Sequence, residues 1–142
     1  MQAAIDEALA GVGEGGIPIG SVLVADGEIV GRGRNQRIQR GSAILHGEMD
    51  AIENAGRMSP ARYRKTTIYT TLSPCSMCTG AILLYDIPRV VIGENRTFLG
   101  AENRLRDAGV DVTVIDSIEC VAMMEAFIRD NSDLWHEDIG EI

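Results

Sequence analysis

The sequence predicts an α/β fold: a three-layer α/β/α sandwich on a five-stranded mixed sheet that starts with an N-terminal hairpin. Three observations predict it. Helix-like and strand-like segments alternate at close spacing, with no linker, internal repeat or low-complexity tract between them. Two apolar runs near the N-terminus flank Asp26-Gly27, a hairpin turn signal. The later strand-like runs are separated by helical segments, a connection that demands largely parallel pairing.

Each element has its own justification. Residues 1 to about 13, with Ala3, Ala4, Ala8 and Leu9, have helical composition and end at Gly13, Gly15 and Gly16. Ile19 to Ala25 (IGSVLVA) reads as the first strand, and Glu28 to Gly33 (EIVGRG) as its partner across the turn. His46 to Gly56 is a helix with a glycine stop. Thr67 to Leu72 (TIYTTL) is β-branched and aromatic, as a strand should be. Pro74 opens a helix that runs through Ala81, Ile82, Leu83 and Leu84. Arg89 to Gly93 (RVVIG) is short and apolar, the pattern of a buried strand. Glu102 to Ala108 is a modest helix, Val110 to Ile115 a strand, Ile118 to Arg129 an amphipathic helix, and Asn131 to Ile142 a tail.

Composition narrows the function. The 142 residues suit one domain, residues 1–142, long enough to bury a core without disulfides. At 45% hydrophobic and 24% charged, the balance excludes disorder, collagen and coiled coil. A net charge of −8 argues against a chain that binds nucleic acid over its whole surface. No apolar run approaches the roughly 18 residues of a membrane span, and Met1 to Asp6 lacks a signal-peptide pattern. Three cysteines, two of them three residues apart, read as a metal site in a reducing compartment, so the expected location is the cytoplasm. Of the 13 basic residues only Lys65 is not arginine, and Arg32, Arg34, Arg37 and Arg40 crowd together. They read either as a nucleic-acid patch or as a solvated loop or subunit contact, and the acidic total favours the second.

The chemistry concentrates in two short segments. His46-Gly47-Glu48 lies at the start of one helix, and Pro74-Cys75-Ser76-Met77-Cys78 at the start of the next, with Cys75 29 residues after His46. Cys75 and Cys78 share a helix face. A helix N-terminus favours their thiolate forms, which zinc requires. His46 adds a neutral third ligand, leaving one tetrahedral position for water, as in a catalytic site. Two thiolates cancel the charge of Zn²⁺, so a nearby carboxylate base is wanted, and Glu48 is two residues from His46. The expectation is one zinc per chain. A redox CxxC would leave the HGE segment unexplained. A structural zinc would need a fourth ligand, for which Cys120 or His136 could be proposed. The pattern HxE…PCxxC is the signature of zinc nucleobase deaminases, whose glutamate moves protons and is not a ligand.

Further segments extend the match: Gly15 to Gly20 (GGIPIG), Gly41 to Glu48 (GSAILHGE), Thr70 to Cys75 (TTLSPC), Met77 to Ile82 (MCTGAI), Ile87 to Arg89, Gly93 to Asn95, and Trp135 to Glu141 (WHEDIGE). Through them, from Glu14 to Ile142, the chain resembles the small zinc-dependent cytosine deaminases of fungal type, in the cytidine deaminase-like superfamily. The resemblance implies hydrolysis of a free base, cytosine or a close analogue, to uracil and ammonia, with Glu48 as proton shuttle. It implies that Asn35 meets the pyrimidine ring edge, that the Gly47 amide binds the base O2, and that the Ser73 carbonyl and Asp138 receive the exocyclic amine. Leu72, Phe98, Trp135 and Ile139 would enclose the ring. It also implies a homodimer. His136 stands where fungal relatives carry an aromatic, and Glu94 to Leu105 follows the family loosely. Adenosine deaminases acting on tRNA share the zinc motif and form the alternative, with deaminases of isocytosine, guanine or creatinine. A non-enzymatic zinc-stabilised module is a further alternative.

Overall fold

Asp26 and Gly27 both have positive φ, 52° and 78°, the left-handed pair that a two-residue hairpin turn requires. They join β1 (Gly20–Ala25) to β2 (Glu28–Arg34), which pair antiparallel with a register shift between Leu23 and Val24. Those coordinates belong to a computed structural model that describes residues 1–141; Ile142, the end of the expected tail, lies outside the described residues. β3 (Thr66–Leu72) lies antiparallel on the other side of β1. Beyond it β4 (Arg89–Glu94) and β5 (Asp111–Val114) run parallel, giving the order β2-β1-β3-β4-β5. The change from antiparallel to parallel follows from the connections. A turn joins β1 to β2, whereas α5 (Ser76–Leu84) and α6 (Glu102–Asp107) carry the chain back between the later strands.

Helices cover both faces. On one, α3 (Gly47–Ala55) and α4 (Pro60–Tyr63) join α5 and α6 over a core that includes Leu23, Ile52, Ile68, Ile82 and Leu105. On the other lie α1 (Gln2–Gly13) and α7 (Ile118–Asp130), followed by α8 (Ser132–Asp138). There Ile17, Ile19, Leu72, Met124 and Trp135 form a second core. The two faces position the site differently. A Cβ on Gly31 would come within 2.3 Å of the Ala51 carbonyl oxygen, and one on Gly33 within 2.2 Å of the Ala51 amide nitrogen. Only bare backbone lets α3 lie that close on β2, and this approach sets where its N-terminus points.

The element order matches the sequence expectation, with three additions and one shift. α2 (Arg37–Arg40), α4 and α8 are short helices that the reading did not assign. α2 and α4 have four residues each, too few to show a period. α8 falls in the expected tail and owes its place to tertiary contact, since Trp135 is buried among Phe98, Phe127, Ile128 and Ile139. Pro74 does not open α5: Cys75 is its N-cap, and the Pro74 carbonyl accepts a hydrogen bond from the Ala101 amide at 2.9 Å.

Candidate active site

Two helix N-termini converge where the start of β1 lies beside the end of β3. His46 is the N-cap of α3 and Cys75 the N-cap of α5. N-cap positions favour Ser, Thr, Asp or Asn, whose side chains bond the free amides of the first turn. Neither His46 nor Cys75 makes such a bond. Each helix thereby gives up about 1 kcal/mol of capping, and both side chains turn toward each other instead. His46 Nδ1 lies 3.4 Å from Cys75 Sγ. Donor atoms of His46, Cys75 and Cys78 all lie within 4.8 Å of one another, the one such group of three among the described residues.

The electrostatics of this group fit a cation. The Cys78 thiol hydrogen-bonds the Cys75 sulfur and, with help from His46 and against burial, holds the Cys75 pKa down at about 4. The same bond, reinforced by burial and by the Glu48 carboxylate, pushes Cys78 well up. Burial works against protonation of His46, but Cys75, Asp138 and Glu48 outweigh it and raise its pKa to about 9. Burial is also the main cause that pushes Glu48 up, and Glu48 Oε2 accepts a hydrogen bond from Cys78 at 3.4 Å. Buried His46 and Cys78 and half-buried Cys75 therefore form a close set of nitrogen and sulfur donors of the kind that holds Zn²⁺. The two other ligand types raised by the sequence lie elsewhere. Cys120 is buried on α7 against Gly93, and His136 turns back along α8, with Nδ1 2.7 Å from the Ser132 carbonyl.

Over the donors sits an inner cavity of about 20 Å³, lined by Ile19, His46, Glu48, Leu72, Ser73, Cys75, Phe98, Trp135, Asp138 and Ile139. Outside it opens a bowl of about 400 Å³ that reaches Arg37, Met77 and Gly140. Phe98 and Trp135 meet edge to face, with centroids 5.8 Å apart. Asp138 is buried beside the cavity, its Oδ1 3.6 Å from His46 Nε2. Asn35 stands behind it: its amide donates to Asp138 Oδ1 at 2.9 Å, while its oxygen accepts from the Arg37 amide at 3.0 Å. Gly47 is buried in the first turn of α3 against Ile19 and Ser21. The fold thus gathers the residues singled out in the sequence, with Asn35 and Gly47 set back from the cavity wall.

Three participants escaped the sequence reading. Ile19 lines the cavity although it was assigned only to a strand. Arg37 reaches across to α8, donating to Asp138 Oδ1 at 3.3 Å and to the Glu137 carbonyl at 3.2 Å. Its position two residues after Asn35 was the available signal. Glu102, buried in the first turn of α6, accepts a hydrogen bond from the Ser73 hydroxyl at 2.8 Å, and no motif marked it. The arginine cluster proves to be paired within the chain. Arg32 bonds Glu7 at 2.8 Å, and Arg34 bonds Glu7 at 2.7 Å and Glu14 at 2.6 Å. Much of the cluster is therefore neutralised at the surface.

Comparison with known proteins gives one consistent result. Residues 1–94 match the family model of the cytidine and deoxycytidylate deaminase zinc-binding region. The chain is 55% identical to a cytosine deaminase of Candida albicans, over 99% of this chain and 95% of that one. It is 40% identical to a tRNA-specific adenosine deaminase of Streptococcus pyogenes, over 91% of this chain and 87% of that one. Among solved structures, one from a study of tRNA:A34 deaminases superposes with a TM-score of 0.75 at 27% identity, covering 87% of this chain and 96% of the other.

Proposed function

The chain belongs to the cytidine and deoxycytidylate deaminase zinc-binding family, and from that premise we propose that it deaminates a free base, converting cytosine and water to uracil and ammonia. The observation that carries this reading is a pocket in which the Glu48 and Asp138 carboxylates meet His46 and Cys75 beside Phe98 and Trp135, with Cys78 completing the donor group. His46, Cys75 and Cys78 hold one zinc, which when bound supplies Lewis-acid activation of water.

The side chains divide the remaining work. Glu48, pushed up by burial, takes a proton from the attacking water and passes it to N3 of the base. It then takes the remaining proton from the hydroxyl now on C4 and delivers it to the departing amine, which leaves as ammonia while C4 becomes the carbonyl of uracil. Asp138 and the Ser73 carbonyl accept from the exocyclic amine. The Gly47 amide donates to O2. Leu72, Phe98, Trp135 and Ile139 enclose the ring and exclude water. The Asn35 amide is already engaged at both ends, so its contact with the ring edge, implied by the resemblance, requires it to exchange a partner when the base binds. The inner cavity has room for about one water, so α8, which carries Trp135 and Asp138, has to give way to admit a base.

Residues 1–142 act as one catalytic domain. A homodimer follows from the resemblance. Free cysteines among the zinc donors suit a reducing, cytoplasmic setting, and the reaction suits pyrimidine salvage. No described helix is long and apolar enough to cross a membrane. A tRNA substrate is favoured by the 40% identical relative. Against it stand the paired arginines and a net charge of −8. The test is ammonia release from cytosine, isocytosine, guanine, creatinine, cytidine and tRNA, with zinc measured on the same sample. Cytosine should be hydrolysed far faster than cytidine, and tRNA should not react. A tRNA rate exceeding that of cytosine would overturn the reading.

A further inference from the structure

Residues 95–101, between β4 and α6, have neither helix nor strand, yet they carry Phe98 to the cavity and hold it edge-on against Trp135. What fixes them is polar and lies behind the pocket. Glu102, 3% exposed, accepts hydrogen bonds from the Ser73 hydroxyl at 2.8 Å, from the Asn95 amide at 3.2 Å and from the Arg106 guanidinium at 3.1 Å. The Asn95 bond closes the loop across its base. Ser73 Oγ in turn accepts from the Gly100 amide at 2.9 Å, and the Ala101 amide donates to the Pro74 carbonyl at 2.9 Å. Gly100 lies so close that a Cβ there would come within 1.9 Å of the Pro74 oxygen. One carboxylate therefore ties the Phe98 loop to the segment that leads directly into Cys75.

A buried carboxylate is costly unless its lone pairs are filled, and an apolar side chain would occupy the same space without that cost. What the carboxylate adds is an acceptor-only group that can take a hydroxyl, an amide and a guanidinium at once. We propose that Glu102 is a positioning residue that sets the size of the pocket by fastening the Phe98 wall to Ser73 and Pro74. It touches no reacting atom, and its effect on substrate choice rests on the free-base reading above. A base slightly larger than cytosine is rejected because the loop cannot yield, and a looser loop binds cytosine less well while admitting the larger ring.

The test is Glu102→Gln in the zinc-loaded protein. Glutamine places an NH₂ donor among three donors, so one contact is lost with little change in volume. KM for cytosine should rise roughly tenfold with kcat less affected, and the preference for cytosine over 5-methylcytosine should narrow roughly fivefold. Zinc content should stay at the wild-type level. Trp135 is the single tryptophan of the chain, so quenching of its fluorescence by acrylamide reports the cover independently of any substrate. It should increase roughly twofold. If Glu102→Gln does not fold, Asn95→Ala opens the same loop and should give the same changes in KM, selectivity and quenching. Unchanged quenching with unchanged KM and selectivity in a folded variant overturns the proposal. A wild-type protein inactive on cytosine, with quenching increased in the variant, overturns the free-base reading and leaves the anchoring role standing.

Discussion

On the floor of the pocket, His46, Glu48, Cys75 and Cys78 project from the starts of α3 and α5, two helices packed over the core beneath them, with α3 also held by close backbone approach to β2. Over it, Phe98 projects from an irregular loop, and Trp135, Asp138 and Ile139 from a seven-residue helix near the C-terminus. The floor is held by regular structure; the cover is held by burial of Trp135, by hydrogen bonds that Arg37 and Asn35 donate to Asp138, and by those that Glu102 accepts from Asn95 and Ser73. The difference suits the chemistry. A metal site requires donors fixed to a fraction of an ångström, whereas a base can reach that site only if the cover yields and returns.

Breaking the floor should have the largest effect. Cys75→Ala or Cys78→Ala removes one of three zinc donors, so both variants should lose metal and all measurable turnover, read by metal analysis beside ammonia release. Chelation of the wild-type protein should do the same. Stability should fall with the metal, since binding to a folded site is coupled to folding. Cys120→Ser should keep a full complement of zinc. Loss of metal there would mean that the coordination set had been assigned wrongly.

Within the floor, Glu48 separates chemistry from architecture. Glu48→Gln preserves size and removes no metal donor, so the variant should fold and hold zinc. Turnover should drop by roughly 10²–10⁴, the range of a lost general acid/base. Near-native turnover would reassign the proton transfer to another group.

The contrast between floor and cover also explains what the sequence displayed. His46 and Glu48, and Cys75 and Cys78, are two and three residues apart at helix starts, so local geometry joins each pair, and the HxE…PCxxC signature links the two pairs across the 29-residue separation of His46 and Cys75. The hairpin and the largely parallel later strands followed from the Asp26-Gly27 turn and the alternation of segments, both local signals. The cover is assembled by contacts between distant residues. Asn35 and Asp138 are 103 positions apart, and Ser73 and Glu102 are 29 apart. No periodicity records such pairs. Asp138, Trp135 and Phe98 were legible only through resemblance to a family, and Glu102 was not legible at all. α8 was read as a tail because its helix depends on the burial of Trp135 and not on seven residues of mixed propensity.

Cover residues that touch the base should cost less than the floor. Asp138→Ala takes away one of the two acceptors of the exocyclic amine and leaves the Ser73 carbonyl, a loss of about 1–3 kcal/mol, or roughly 5- to 150-fold in kcat/KM. Zinc should remain, because Asp138 only approaches His46 Nε2, at 3.6 Å, and is not in the donor group. Loss of zinc in Asp138→Ala would move the residue from the cover to the floor.

Arg37 should show the smallest and most specific effect. Its side chain is 18% exposed, and its guanidinium meets the fully buried Asp138 carboxylate at 3.3 Å and the Glu137 carboxylate at 3.6 Å. These bonds fasten α8 to α2 beside the mouth of the pocket, so Arg37 acts through Asp138 and not on the base. A partly exposed pair of this kind contributes about 1 kcal/mol, and Asn35 still donates to Asp138 when Arg37 is removed. Arg37→Ala should therefore raise KM for cytosine roughly fivefold, the kinetic equivalent of that energy, with a smaller change in kcat and none in zinc content. Arg37→Lys should fall between the two, because an ammonium keeps the charge and one nitrogen for Asp138 and the Glu137 carbonyl, as Nη1 does, but has no second nitrogen to set against the Glu137 carboxylate as Nη2 is. Added salt should narrow the gap between wild type and Arg37→Ala, since the lost interaction is partly screened. If instead kcat fell a hundredfold while KM stayed constant, Arg37 would belong with Glu48 in the chemistry, and the division between a rigid floor and a latched cover would fail at its hinge.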